Sequence, residues 1–148
     1  PFEPQGYDVV VVGLARSLSY EALARVCLAV RAGARLLATN DDSTYPSTRG
    51  LLPGGGALLA AVVTATDTTP EVAGKPHGPM VDLVSERVGP DPVVVGDRDD
   101  TDGALARALG ARFGLVLTGV TGGEAVPTDP APDLIAPDLA SLVAAALP

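Results

Sequence analysis

The stretch VVVGDRDDTDGALARALGARFGLVL, Val93 to Leu117, decides how the chain folds. Its apolar run over Pro92–Val95 is too short for a helix and stops at Gly96, which reads as a buried strand. Asp97, Asp99, Asp100 and Asp102 then crowd into one short turn. From Thr101 to Leu109 the residues are helix formers, closed by Gly110, and Arg112 to Leu117 is a second strand. A strand, a helix and a strand in so short a span require parallel pairing with a helical crossover.

The same alternation runs through the rest of the chain. Tyr7–Ala15 is a continuous apolar run, the pattern of a strand covered on both faces. Ser19–Gly33 reads as a helix, with Ser19 as N-cap, Glu21 in the first turn and Leu23, Val26 and Val30 on one stripe. A strand is expected over Arg35–Thr39, then a turn-rich loop or linker over Asn40–Gly56. Further helices are expected over Ala57–Thr66, Pro79–Val88 and Asp138–Ala146, with short strands at Glu71–Ala73 and near Leu134. The whole predicts an α/β fold, a Rossmann-like three-layer sandwich on a parallel sheet.

Composition narrows the function. The 148 residues carry a formal charge of −8, which argues against nucleic acid or an anionic membrane surface as partner. No apolar run approaches the roughly 20 residues that span a bilayer, and no signal sequence opens the chain, so a cytoplasmic location is expected. Cys27 is the single cysteine; it excludes an internal disulfide and reads as a small buried helix residue. Among ten basic residues Lys75 is the one lysine, a compact point charge in a chain that otherwise uses arginine.

In parallel α/β folds ligands bind beyond the carboxyl ends of the strands. Three of the loops there hold unusual polar residues. Asp97–Asp102 is either a helix entrance whose acids complement the dipole or a cation site. Hard oxygens without nearby sulfur would suit Mg²⁺, which takes one or two protein carboxylates and keeps water. Lys75, in AGKPHGP, is either an exposed lysine or one aimed at a phosphate. His77 alone makes no zinc site and reads as loop structure. In TNDDSTYP, Asn40, Asp42 and Tyr45 either form an Asx-rich turn or position a polar substrate. PGGG, Pro53–Gly56, lacks the lysine and hydroxyl of a P-loop; close packing or a hinge explains it better than a nucleotide-binding module.

In order and spacing, LLATNDDSTYP, GLLPGGGALLAAVVTAT, GKP and VVVGDRDDTD…LVLTGVT resemble the NagD-like subfamily of haloacid-dehalogenase (HAD) phosphatases. The resemblance implies a Rossmann-like core with an inserted α/β cap. Residues 1–45 would be the later half of the cap, and residues 46–148 the C-terminal half of the core. It implies Mg²⁺ bound by Asp97, a phosphate-neutralising Lys75, Asp102 as the second acid of the final motif, and Asn40, Asp42 and Tyr45 in the cap's substrate loop. Asp99 departs from the family's usual apolar residue. The family's nucleophile, in an Asp-x-Asp pair near its N-terminus, has no counterpart here, since Asp8 is not such a pair.

The implied function is hydrolysis of a small phosphomonoester, of glycerol phosphate or phosphoglycolate type, through an aspartyl-phosphate. An N-terminal half, from the same enzyme or another chain, would bring the nucleophile, so the chain alone is expected to be inactive. Homo-oligomerisation is left open, and a non-catalytic assembly or binding piece is the alternative.

Overall fold

The computed structural model describes residues 2–122, 125–128 and 131–146. The chain divides into two compact units, Pro1–Gly74 and Lys75–Pro148.

The first unit contains β1 (Val9–Val12), α1 (Tyr20–Arg31), β2 (Arg35–Ala38), β3 (Thr44–Ser47), β4 (Gly50–Pro53), α2 (Gly55–Thr66) and β5 (Glu71–Val72). A parallel sheet has the order β1-β2-β5, with Val10 opposite Leu36 and Ala38 opposite Val72. Ser19 caps α1 as expected, its hydroxyl accepting from the Ala22 amide at 3.1 Å. The two helices pack on Val10, Val12, Leu36, Ala38 and Val72, and Cys27 lies among the half-buried residues of this core.

Two expectations change here. The described residues cover β1 on one face only; Val9 and Val11 on the other are 38% and 64% exposed. The loop expected over 40–56 contains an antiparallel hairpin, in which Tyr45 pairs with Leu52 and Ser47 with Gly50. Its turn is fixed by Ser47, whose hydroxyl donates to the Gly50 carbonyl and accepts from the Arg49 amide. Tyr45, after which a division is expected, lies within this unit, where β5 hydrogen-bonds to β2 and α2 packs on α1.

The second unit contains α3 (Gly78–Ser85), β6 (Val93–Gly96), α4 (Ala104–Leu109), β7 (Arg112–Val116), β8 (Leu134–Ala136) and α5 (Leu139–Ala146). Its sheet is parallel, in the order β6-β7-β8. Alternate residues of β7 serve opposite faces. Phe113 and Leu115 pack with Ala106 of α4, while Val116 packs with Leu142 of α5 and Ala136. This is the three-layer arrangement the sequence implied. Gly114 makes it close, since a Cβ there would stand 2.8 Å from Leu142 Cδ1.

Leu142, 2% exposed, is therefore the residue that anchors α5. Leu142→Ala is expected to destabilise the second unit by about 2–5 kcal/mol, read from the shift in its urea midpoint.

Candidate phosphate-binding turn

β6 ends at Gly96, and the chain then makes a π-type turn over Asp99–Gly103 before α4 begins. The Asp102 and Gly103 amides both donate to the Arg98 carbonyl, which closes the turn. Each of the four acids has its own partner. Asp99 accepts from both guanidinium nitrogens of Arg107 at 2.9 and 3.3 Å. Asp100 is gripped in the same two-point manner by Arg98 at 2.9 and 2.5 Å. Asp102, 5% exposed, accepts from Lys75 Nζ at 2.5 Å through one oxygen and from the Arg98 amide at 3.2 Å through the other.

Asp97 differs from these three. Its Oδ2 accepts from the Val120 amide at 2.7 Å, and no cation pairs with it among the described residues. Its carboxylate packs against Gly119 so closely that a Cβ there would collide with it. The Asp102 carboxylate lies against Gly96 in the same way. Lys75 thus reaches a carboxylate that touches the residues on both sides of Asp97. Lys75, Asp97 and Asp102 are gathered at the carboxyl end of β6.

In the first unit the Asn40 amide donates to Asp42 Oδ2 at 2.5 Å, and Thr39 Oγ1 donates to Asn40 Oδ1 at 3.2 Å. The Arg16 guanidinium lies over the Tyr45 ring, 5.5 Å from its centroid. The Gly54 and Gly56 amides donate to the carbonyls of Ser43 and Asp42, each at 2.8 Å. Those amides are committed to the neighbouring loop, so PGGG is a packing element and not a phosphate cradle. His77 occupies the N-cap position of α3, where its carbonyl accepts from the Met80 and Val81 amides.

A family model described as HAD-hydrolase-like matches residues 72–142, the span that holds this turn. D-glycerol 3-phosphate phosphatase of Mycobacterium tuberculosis is 45% identical over 139 residues, 91% of this chain and 39% of that protein. The chain belongs to the haloacid-dehalogenase superfamily, in its NagD-like branch. Another HAD relative, the 5'-nucleotidase YutF of Bacillus subtilis, is 39% identical over 86% of this chain and 51% of its own length. The chain spans about half the length, or less, of these curated relatives.

Among solved structures, the hypothetical protein PH1952 of Pyrococcus horikoshii matches with a TM-score of 0.86 at 39% identity. That match covers 97% of this HAD chain and 56% of the other. The glycerol phosphate phosphatase Rv1692 of Mycobacterium tuberculosis, solved in complex with magnesium, matches with a TM-score of 0.78 at 45% identity. It covers 91% of this chain and 42% of that one.

Sequence reasoning missed Arg98 and Arg107. Two of the four acids, Asp99 and Asp100, pair with these arginines once the chain turns. The departure at Asp99 is absorbed by Arg107 and adds no uncompensated charge beside Asp97.

The Arg98 guanidinium holds the Asp100 carboxyl below its ordinary value of 3.8. A lowered folded-state value adds stability that is present above pH 3.8 and lost as pH falls through the folded value. Asp100 is 65% exposed, so screening limits the pair to less than about 1 kcal/mol. Urea titrations are expected to find Asp100→Asn slightly less stable than the parent at neutral pH, with the gap closing as acid protonates Asp100.

Proposed function

We propose that this chain carries the phosphate-holding half of a Mg²⁺-dependent phosphatase for a small phosphomonoester of glycerol phosphate or phosphoglycolate type. The observation that supports it most is the buried Asp102 carboxylate, which holds the Lys75 ammonium beside the backbone that presents Asp97. Lys75 is the group that neutralises a phosphoryl oxygen, and Asp102 is the residue that positions it. Asp97 is the metal ligand.

The donor set fits Mg²⁺ as a partial site. Asp97 Oδ1 accepts no hydrogen bond among the described residues, while Oδ2 is steadied by Val120. Mg²⁺ takes one or two protein carboxylates and keeps several waters, so Asp97 can serve as its protein ligand. When bound, Mg²⁺ offsets the negative charge on the phosphoryl oxygens. We assign the nucleophilic aspartate to a segment outside these residues, in line with the share of the relatives' length that the chain spans. We assign the cap portion to the first unit and the core portion to the second. In the first unit Asn40, Asp42 and Tyr45 are the residues we assign to choice of leaving group. Asn40 and Asp42 form a prearranged polar pair, and Tyr45 offers a ring face.

Calorimetric titration of the chain with inorganic phosphate, with and without Mg²⁺, tests the reading. Phosphate is expected to bind more tightly with Mg²⁺, and Asp97→Asn to remove that dependence. Lys75→Ala is expected to weaken phosphate binding by about ten- to a hundredfold, the worth of a charge-assisted hydrogen bond. Phosphate binding that ignores Mg²⁺ and both substitutions would falsify the proposal. A second assay bears on the nucleophile. The chain alone is expected to release no phosphate from an aryl phosphate, and turnover abolished by Lys75→Ala would place the nucleophile within these residues.

A further inference from the structure

Arginine accounts for nine of the ten basic residues, and seven of the nine have a partner for the guanidinium. Arg25, Arg35, Arg98, Arg107 and Arg112 pair with carboxylates. Arg31 donates to the Ala65 carbonyl and Arg87 to that of Leu83. The other two, Arg16 and Arg49, make no ion pair or side-chain hydrogen bond among the described residues. Both line the same cavity, of about 470 Å³, in the first unit.

Chance placement of two surface arginines would not give the rest of this cavity. Tyr45 pairs with Leu52 of β4, and the Arg16 guanidinium lies over its ring, 5.5 Å from the centroid. A guanidinium over a ring face is attracted by the ring's π-system, and its N–H groups can still donate to an acceptor. Leu18, Leu52 and Leu58 supply apolar wall. Two like charges sharing one pocket repel each other until an anion lies between them. In a chain of formal charge −8 with nine arginines, the two that make no ion pair or side-chain hydrogen bond among the described residues line one cavity with an apolar wall. The volume falls in the range of small-ligand sites, about 300–1,000 Å³.

We infer that this cavity binds a small organic anion, with a carboxylate or phosphoryl head between Arg16 and Arg49 and an apolar or aromatic body against Tyr45 and the leucines. Fork-shaped donors match either head in two-point fashion. Tyr45 also figures in the leaving-group reading above, but the pocket does not depend on that reading. It uses neither Lys75 nor Asp97, and its binding is measured directly.

The test is an amide-shift titration of the ¹⁵N-labelled 148-residue chain with phenylphosphonate, benzoate and the neutral benzyl alcohol. At least one anion is expected to give saturable shifts over residues 14–18 and 45–52, with benzyl alcohol at least about tenfold weaker. The stronger of the two anions identifies the head as phosphoryl or carboxylate. Arg16→Gln combined with Arg49→Gln is expected to weaken the anion by about tenfold or more, with an otherwise unchanged spectrum. Lys75→Ala is expected to leave these shifts in place. Three outcomes overturn the inference: no saturable shift with either anion, equal binding of the alcohol, or double-variant affinity equal to that of the parent. Shifts at this pocket that vanish in Lys75→Ala overturn it as well. Failure of the phosphatase reading would appear instead as phosphate binding indifferent to Mg²⁺ and Asp97.

Discussion

The Asp102 carboxylate is the constraint on which the second unit's chemistry depends. A charged oxygen pair that is almost wholly out of water is costly unless each oxygen is partnered. Lys75 meets one oxygen and the Arg98 amide the other, and Gly96 provides the space in which the carboxylate sits. Because Lys75 precedes α3 and Asp102 follows β6, this one carboxylate fastens two loops that are distant in sequence. The ammonium is placed by that attachment, and Asp97 is placed by the strand end it follows.

The sheets explain why the strand end is a fixed point. β7 is covered on both faces, by α4 and by α5, so β6 is held in register along its inner edge. The parallel strands bring the ends of β6 and β7 to the same side, which is why Gly119 and Val120 meet Asp97. Gly119 has no side chain for the reason that Asp97 fills the space beside it. In the first unit the helices cover one face of the sheet, while Val9 and Val11 leave the other partly apolar and open. No helix among the described residues is long and apolar enough to cross a membrane.

Much of this was legible in the sequence. Runs such as VVVV and RLLA are short and apolar, as strands of a parallel sheet are, and Ser19 and Gly33 bracket α1 in its proper place. The hairpin was not legible, because Pro46 and Pro53 interrupt its strands and remove donors that a strand pattern needs. Burial of β1 on both faces was over-read, since an apolar run shows that a strand can be covered and not what covers it. At the site, Asp97, Asp102 and Lys75 were recognisable as residue types at a strand end. Their partners were not, because Arg107 lies eight residues beyond Asp99 and meets it only once the turn and α4 have formed.

Charge pairing also separates residues that the sequence makes look alike. Four aspartates in six residues suggest a strongly negative patch, yet three of them face a cation at hydrogen-bond distance. The field at the end of β6 is therefore dominated by Asp97, whose acceptor is satisfied by a neutral amide and whose charge is offset by no side chain among the described residues. A carboxylate in that state favours an added cation, whereas a carboxylate already matched to a guanidinium gains little from one. The same logic, with the sign reversed, singles out Arg16 and Arg49 among nine arginines. Ion pairs that close on themselves hold the fold; charges left open at the rim of a cavity are where a ligand can complete the pairing.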